Sequence, residues 1–325
     1  MRNILLLGAG FTKNWGGWLA SEVFEYLLGC PEINQNPRLL SILWKYQETG
    51  FEKLLAELHE KMNSFSDGTV TESEIKIFET AIQLMFQDMN IGLSRDQDWD
   101  VDLNLTRNFL TKFDAIFTLN QDLLLEQHYF NDNVMLLSTP PKKWGSVYLP
   151  GIEKLTPYDS WAESTLRPST NFNFDENSRH QPYFKLHGSS NWITDQKRLL
   201  VLGGDKVSKI ASFKILSCYF DIFKNYLNSQ SKLMIIGYGF QDYHINDALE
   251  AAVKNGLKIF VISPHGANLA LEINKKNNNN KMMGDSNVES IFKQSLIGAS
   301  RSNIKETFKD VGSAEYKKIM RFFDS

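Results

Sequence analysis

Four short apolar runs stand out along the chain: Ile4–Leu7, Ala115–Thr118, Leu233–Ile236 and Ile259–Ile262. None alternates with polar residues, which is the pattern of a strand buried on both faces of a parallel sheet. A fifth candidate, Tyr183–Leu186, leads into His187-Gly188-Ser189. Helical spacing intervenes: after Leu233–Ile236, the residues Ile245, Leu249 and Val253 fall on one helix face. Strand then helix, repeated, predicts an α/β fold, a Rossmann-like parallel sheet with helices on both faces.

The stretches between these runs read differently. A helix is expected from about Trp15 to Leu28, and residues 37–113 look almost wholly helical. There Leu39, Leu40 and Leu43 share a face, as do Leu54, Leu55 and Leu58, and Ile75, Phe78, Ile82 and Phe86 repeat at helical spacing. The acidic stretch Asp96–Asp102 predicts a loop, and the prolines between Ser138 and Pro182 predict loops or short strands. A long helix is expected within Lys206–Leu227, a polar linker at Asn277–Asn280, and a helical tail from Val288. This gives one domain over 1–325, with a nucleotide-binding core at 1–30 and 113–275. A helical insertion fills 31–112 and a helical C-terminal extension 276–325, and no internal repeat is visible.

Composition narrows the partners. Lys plus Arg is 35 and Asp plus Glu is 38, a net charge of −3, which argues against nucleic-acid binding by bulk electrostatics. No apolar run reaches the ~18 residues of a membrane span. The apolar N-terminus meets Gly8 too soon for a signal peptide, so a cytoplasmic protein is expected. Cys30 and Cys218 stand alone, which excludes a disulfide framework and a cysteine-rich zinc site.

In an open parallel sheet, ligands bind beyond the carboxyl ends of the strands. The candidate strands end in Gly8-Ala9-Gly10, Leu119-Asn120-Gln121-Asp122, His187-Gly188-Ser189, Gly237-Tyr238-Gly239 and Ser263-Pro264. Gly8-Ala9-Gly10 is half of a dinucleotide fingerprint, but Lys13 replaces the third glycine, and a plain strand-to-helix turn explains it equally well. Asp122 suits a helix N-cap, whereas the Asn120 carboxamide, donor and acceptor at once, suits a ribose or a held water. His187, beside a glycine at a strand end, is the histidine best placed for chemistry. His244 and His265 follow strand ends and could rim a pocket; His59, His128 and His180 read as structural or exposed. No pair has the spacing of a helical metal site, and no metal is expected.

In order, these motifs resemble the Sir2 (sirtuin) superfamily. Gly8-Ala9-Gly10-Phe11-Thr12 is similar to its phosphate and cover-loop motif, and Thr118-Leu119-Asn120-Gln121-Asp122 to its T-x-N-x-D motif. Lys185-Leu186-His187-Gly188-Ser189 is similar to its catalytic L-H-G-S motif, and Gly237–Asp242 with Ile245 to an element of bacterial SIR2-like proteins. The chain cannot build the four-cysteine zinc module of the deacylases, and a long helical block precedes Asn120, as in bacterial SIR2-like antiviral effectors. The resemblance implies NAD glycohydrolase activity in anti-phage defence, with Asn120, Asp122 and His187 catalytic. It implies NAD contacts from Gly8 to Thr12 and from Asn120, Asp122, His187, Gly188, Gly237, Tyr238, Gly239, Ser263 and Pro264. It further implies a homo-oligomer or a partner encoded nearby, an ATPase or sensor subunit. A non-catalytic NAD or ADP-ribose sensor, a deacylase or ADP-ribosyltransferase, and a structural oligomer remain as alternatives.

Overall fold

A computed structural model describes residues 1–47, 50–63, 71–94, 99–130, 147–156, 159–170, 172, 174, 180–195, 197–203, 205–280 and 288–324. Eleven strands form among them. They are β1 (Arg2–Leu7), β2 (Ala115–Thr118), β3 (Val147–Tyr148), β4 (Ile152–Lys154), β5 (Leu166–Pro168), β6 (Gln181–Lys185), β7 (Gly188–Thr194), β8 (Lys197–Leu200), β9 (Ser231–Ile236), β10 (Lys258–Ile262) and β11 (Leu296–Ser300). Seven make a sheet of order β11-β10-β9-β1-β2-β6-β3 in which every neighbouring pair is parallel. The other four make a small sheet, β4-β5-β7-β8.

The unbroken apolar runs are the central strands. Ile4–Leu7, all of β2 and all of β9 are buried, as a sheet covered on both faces requires. Part of the cover is the helix Lys214–Tyr226, whose Leu216, Tyr219, Phe223 and Tyr226 fall at helical spacing and are buried. Phe223 meets Phe117 edge-on at 5.0 Å, and Phe117 stacks on Phe184 of β6 at 4.8 Å.

The register sets the edge of the sheet. Leu7 pairs with Thr118 and Ile236, Thr118 with Lys185, and Ile236 with Ile262, so these strands end level. Each ladder runs one bond further: Gly8 N to Ile236 O, Leu119 N to Leu7 O, Leu186 N to Thr118 O and Gly237 N to Ile262 O. The chain moves from β1 to β2 and β6 on one side, then returns to β9 on the other. The order therefore reverses at β1, the kind of point where open sheets leave a crevice.

Several local expectations change. The helix expected from Trp15 starts only at Ala20 (Ala20–Gly29), because Gly16 (φ +89°) and the close packing of Gly17 on Thr12 turn the chain before it, and a separate short helix, Ala9–Lys13, precedes that turn. The helix expected within Lys206–Leu227 breaks at Phe213, which is extended and ends one helix while starting the next. Asn277–Asn280 is no linker but the end of the helix Leu269–Asn280, anchored by the buried Leu269, Ala270 and Ile273. Trp99 to Asp102 open the helix Trp99–Leu110, and residues 96–98 lie outside the described residues, as do 138–146.

The tail is helical at Val288–Ser295, Ile304–Lys309 and Ala314–Met320, but it also supplies the edge strand β11. Gly298 permits this, since a Cβ there would stand 2.5 Å from the Phe260 ring. Its aromatic residues turn inward: Phe308 meets Phe109 at 4.9 Å and Phe323 meets Phe113 at 5.1 Å. Core packing thus accounts for them without an oligomer. Among the described residues no helix is long and apolar enough to cross a membrane.

Phe117→Ala removes a fully buried ring with partners on both sides. Denaturant unfolding should show a loss of about 3–5 kcal/mol with an unchanged m-value.

Candidate active site

At the reversal point the loop after β1 lies on the loop after β9. Gly10 N donates to Gly237 O at 2.9 Å. A Cβ on Gly8 would stand 2.6 Å from Gly237 O, one on Gly10 2.7 Å from Gly237 Cα, and one on Gly237 2.3 Å from Phe11 N. Glycine is required because two backbones touch. The amides of Gly8, Gly10 and Phe11 are bonded within the protein, to Ile236 O, Gly237 O and Gly8 O. Phe11 is core, packed on Trp15 at 4.8 Å, while Ala9 is exposed.

Beside this contact stands Asn120. Its Nδ2 donates to Gly8 O at 3.0 Å and to Thr12 Oγ1 at 2.9 Å. Gly8 O can only accept, so the nitrogen must face it and the amide orientation is fixed. Thr12 Oγ1 passes its own proton to Asp122 Oδ2 at 2.9 Å, and Asp122 Oδ1 accepts from Leu124 N at 3.0 Å. Both Asp122 oxygens therefore hold the loop together. Both amide protons of Asn120 are used, which leaves Oδ1 as its working atom, an acceptor.

Gln121 joins this loop to the next one. Its Nε2 donates to His187 O (3.2 Å) and Val201 O (2.9 Å), and its carbonyl accepts from Ser190 N. Gly188 has φ +76°, and a Cβ there would stand 2.1 Å from Leu199 O. That turn throws the chain from β6 into β7, with His187 at the corner. Asn120 and His187 each lie two residues past a paired position, Thr118 and Lys185, on adjacent strands. Both therefore follow directly on the ends of adjacent parallel strands, β2 and β6.

His187 is 3% exposed, and its Nε2 lies 3.1 Å from Nε2 of His244. Burial pushes the His187 pKa down to about 3, against the pull of Asp242. Burial also lowers that of His244. A chain of charges backs the pair: Lys206 Nζ bridges Asp242 (2.6 Å) and Glu52 (2.7 Å). Burial alone would raise the Asp242 carboxyl, yet the neighbouring His187 ring and the charge and hydrogen bond of Lys206 carry it below its ordinary value. The Asp242 loop is pinned in turn. Asp242 N donates to the Tyr238 hydroxyl, which donates to Asn246 Oδ1, and Asn246 Nδ2 donates to Phe240 O. Phe240 is held at φ +54°, a strained position for an aromatic residue.

Two further supports were silent in the sequence. Lys185, wholly buried, donates to Asp122 O at 2.5 Å and pairs with the equally buried Glu126 at 2.7 Å. Asn90, on the helix Glu72–Ser94, accepts from Leu123 N and donates to Ser190 Oγ, clamping the Asn120 and His187 loops together. Asn90, Gln121 and Lys206 carry no motif; a polar residue inside an apolar helix face at Asn90 is the one signal available. Gly239 and Pro264 are exposed, Tyr238 is buried, and Ser263 closes a turn by accepting from Gly266 N. Among the described residues no group of three or more His, Cys, Asp or Glu side chains converges as a metal site, and both cysteines are free.

Residues 114–291, more than half of the chain, match the model of the SIR2-like domain family. The chain belongs to this family. The SIR2-like match takes in the Asn120, His187 and Gly237 loops, while the Gly8 loop precedes it. The chain is also similar to a solved structure of Sir2 in complex with the inhibitor EX-527, 2′-O-acetyl-ADP-ribose and deacetylated p53 peptide. That likeness has 13% identity and a TM-score of 0.29, over 95% of this chain and 92% of that one. No curated protein matches the chain.

Two outcomes test the wiring of this SIR2-like site. Removing one partner of the buried pair, as in Lys185→Met, should cost about 3–5 kcal/mol in denaturant unfolding, whereas Lys185→Met with Glu126→Leu should recover most of it. The second concerns His187, whose ordinary value of 6.5 falls to about 3 on folding. Between those limits the unfolded chain binds a proton that the folded chain refuses. Stability from this group is therefore complete above pH ~6.5 and is lost as the pH falls, by ~1.4 kcal/mol per unit. His187→Asn should flatten the acid limb of stability against pH by close to one proton.

Proposed function

We propose that this protein hydrolyses NAD at the bond between nicotinamide and ribose, releasing nicotinamide and ADP-ribose. What carries this reading is that Asn120, its amide held by Gly8 O beside the reversal point, and His187 follow the carboxyl ends of the adjacent strands β2 and β6. A SIR2-like domain supports NAD as the substrate class. The sequence holds only Cys30 and Cys218, so the deacylase zinc module cannot be built here, which favours water as the acceptor.

The chemistry asks little of a general acid, because the pyridinium leaves as neutral nicotinamide. Positive charge builds on the ribose as the bond breaks. Asn120 Oδ1, an acceptor beside that ribose, would hold a ribose hydroxyl or the attacking water and favour the developing charge. His187, neutral when buried, would take the proton that water loses on forming the new C–O bond. Asp122 acts at one remove, through Thr12 and the loop. The loop Gly8–Thr12 would border the pyrophosphate, and Gly188, Gly237, Tyr238, Gly239, Ser263 and Pro264 the remainder of NAD.

In a cell this activity would deplete NAD as an anti-phage response, released by an oligomeric state or a partner protein. Purified protein should release nicotinamide and ADP-ribose in equal amounts. His187→Ala should lower kcat by about 10²–10⁴ while NAD binding persists. Asn120→Ala should abolish both turnover and any growth arrest on expression. Tight NAD binding without turnover, with neighbouring gene products added, would instead make the protein a sensor.

A further inference from the structure

Beside His187 stands a second histidine that neither the motif nor the proposed roles use. His244 lies in the first turn of the helix Tyr243–Lys254, 6% exposed, with its Nε2 on Nε2 of His187. Its Nδ1 is buried and has no hydrogen-bond partner. A histidine kept only for packing would be served as well by an apolar ring, given that Phe220 lies 5.6 Å away. Two ring nitrogens 3.1 Å apart must instead share one proton, since two bare lone pairs or two N–H groups would repel.

We propose that His187 and His244 work as one proton acceptor, with His244 taking over through the shared hydrogen bond the proton that His187 removes from the substrate side. This rests on the hydrolase reading above. In this scheme the shared proton sits on His187 Nε2 at rest, which leaves His187 Nδ1 bare as the atom that accepts from the substrate side. As water forms its bond to the ribose carbon, its O–H breaks and Nδ1 gains the proton. The Nε2 proton then moves to His244 Nε2. His187 ends neutral and His244 cationic, with no other reactant consumed.

Burial opposes a cation at His244 most, but Asp242, two residues before it, and Asp247, on the same helix, favour the charged form, while Lys206, bound to Asp242 and Glu52, opposes it. Asp242 also acts on His187, so one carboxylate serves the proton at both ends of its path. A buried imidazole that resists protonation is a poor base alone, and a second one beside a carboxylate eases that limit by taking the charge on.

His244→Gln tests this, because its side-chain amide can still meet His187 Nε2 but cannot take a proton. In the full chain, His244→Gln should keep KM for NAD within about threefold and lower kcat by about 10²-fold, at the lower end of general-base effects. The acid limb of its kcat profile should also move. A structural role predicts that His244→Gln restores kcat with an unmoved profile, and that result would overturn the proposal. His244→Ala should lose both binding and turnover, with folding checked by circular dichroism. Nitrogen NMR of the two rings gives a readout free of turnover. They should take up one proton between them, and His244→Gln should shift the titration of His187. Independent titration would sink the shared acceptor even if NAD is hydrolysed, whereas a wild type that shares the proton without hydrolysing NAD would overturn only the hydrolase reading.

Discussion

The site depends on one backbone contact, the loop after β1 lying directly on the loop after β9. Gly10 N to Gly237 O is a single hydrogen bond, but three glycines are needed to allow it. With the loops apart, Gly8 O would not face Asn120, and the Asn120 amide would lose the neighbour that fixes its orientation. Acceptor geometry at the sheet edge is thus set by close packing between main chains. Any side chain at these positions would force the β1 and β9 ends apart, because the atoms it would meet belong to backbone.

From that contact outward, nearly every polar group is committed. Asn120 spends its protons on Gly8 and Thr12, Thr12 on Asp122, Gln121 on His187 and Val201. A buried network with all members satisfied is rigid, and one with a gap is costly. The helical block between β1 and β2 belongs to this network. Asn90 joins the two loops, and Glu52 holds Lys206 against Asp242. A shift of that block would therefore reach the histidines through two independent routes, one of hydrogen bonds and one of charge.

Much of this was legible in residues alone, and the reasons differ by element. Unbroken apolar runs identify β1, β2, β9 and β10 because a parallel strand has no solvent face to mark with polar residues. Glycine and polar residues at the strand ends mark the edge for the same reason. The strand β11 was hidden because Leu296–Ser300 is short, half-buried and contains Gly298, features that read equally as a helix end. Phe213 hid a helix break because an aromatic residue in an extended cap has no propensity signature. Lys185 and Glu126 were unreadable, since only the fold puts two charges 59 positions apart into one dry pocket.

The glycine motif teaches a related point. Gly8-Ala9-Gly10 has the spacing of a phosphate-binding turn, and its glycines permit close approach, but the first thing approached is Gly237. The amides of Gly8, Gly10 and the following Phe11 are spent before any ligand arrives. For the proposed hydrolysis, recognition at this edge would then lean less on a cradle of free amides and more on side-chain acceptors and imidazoles. That balance suits a substrate whose reacting end would become cationic: an acceptor oxygen and a proton-taking pair would serve that charge, while free amides near the ribose would oppose it.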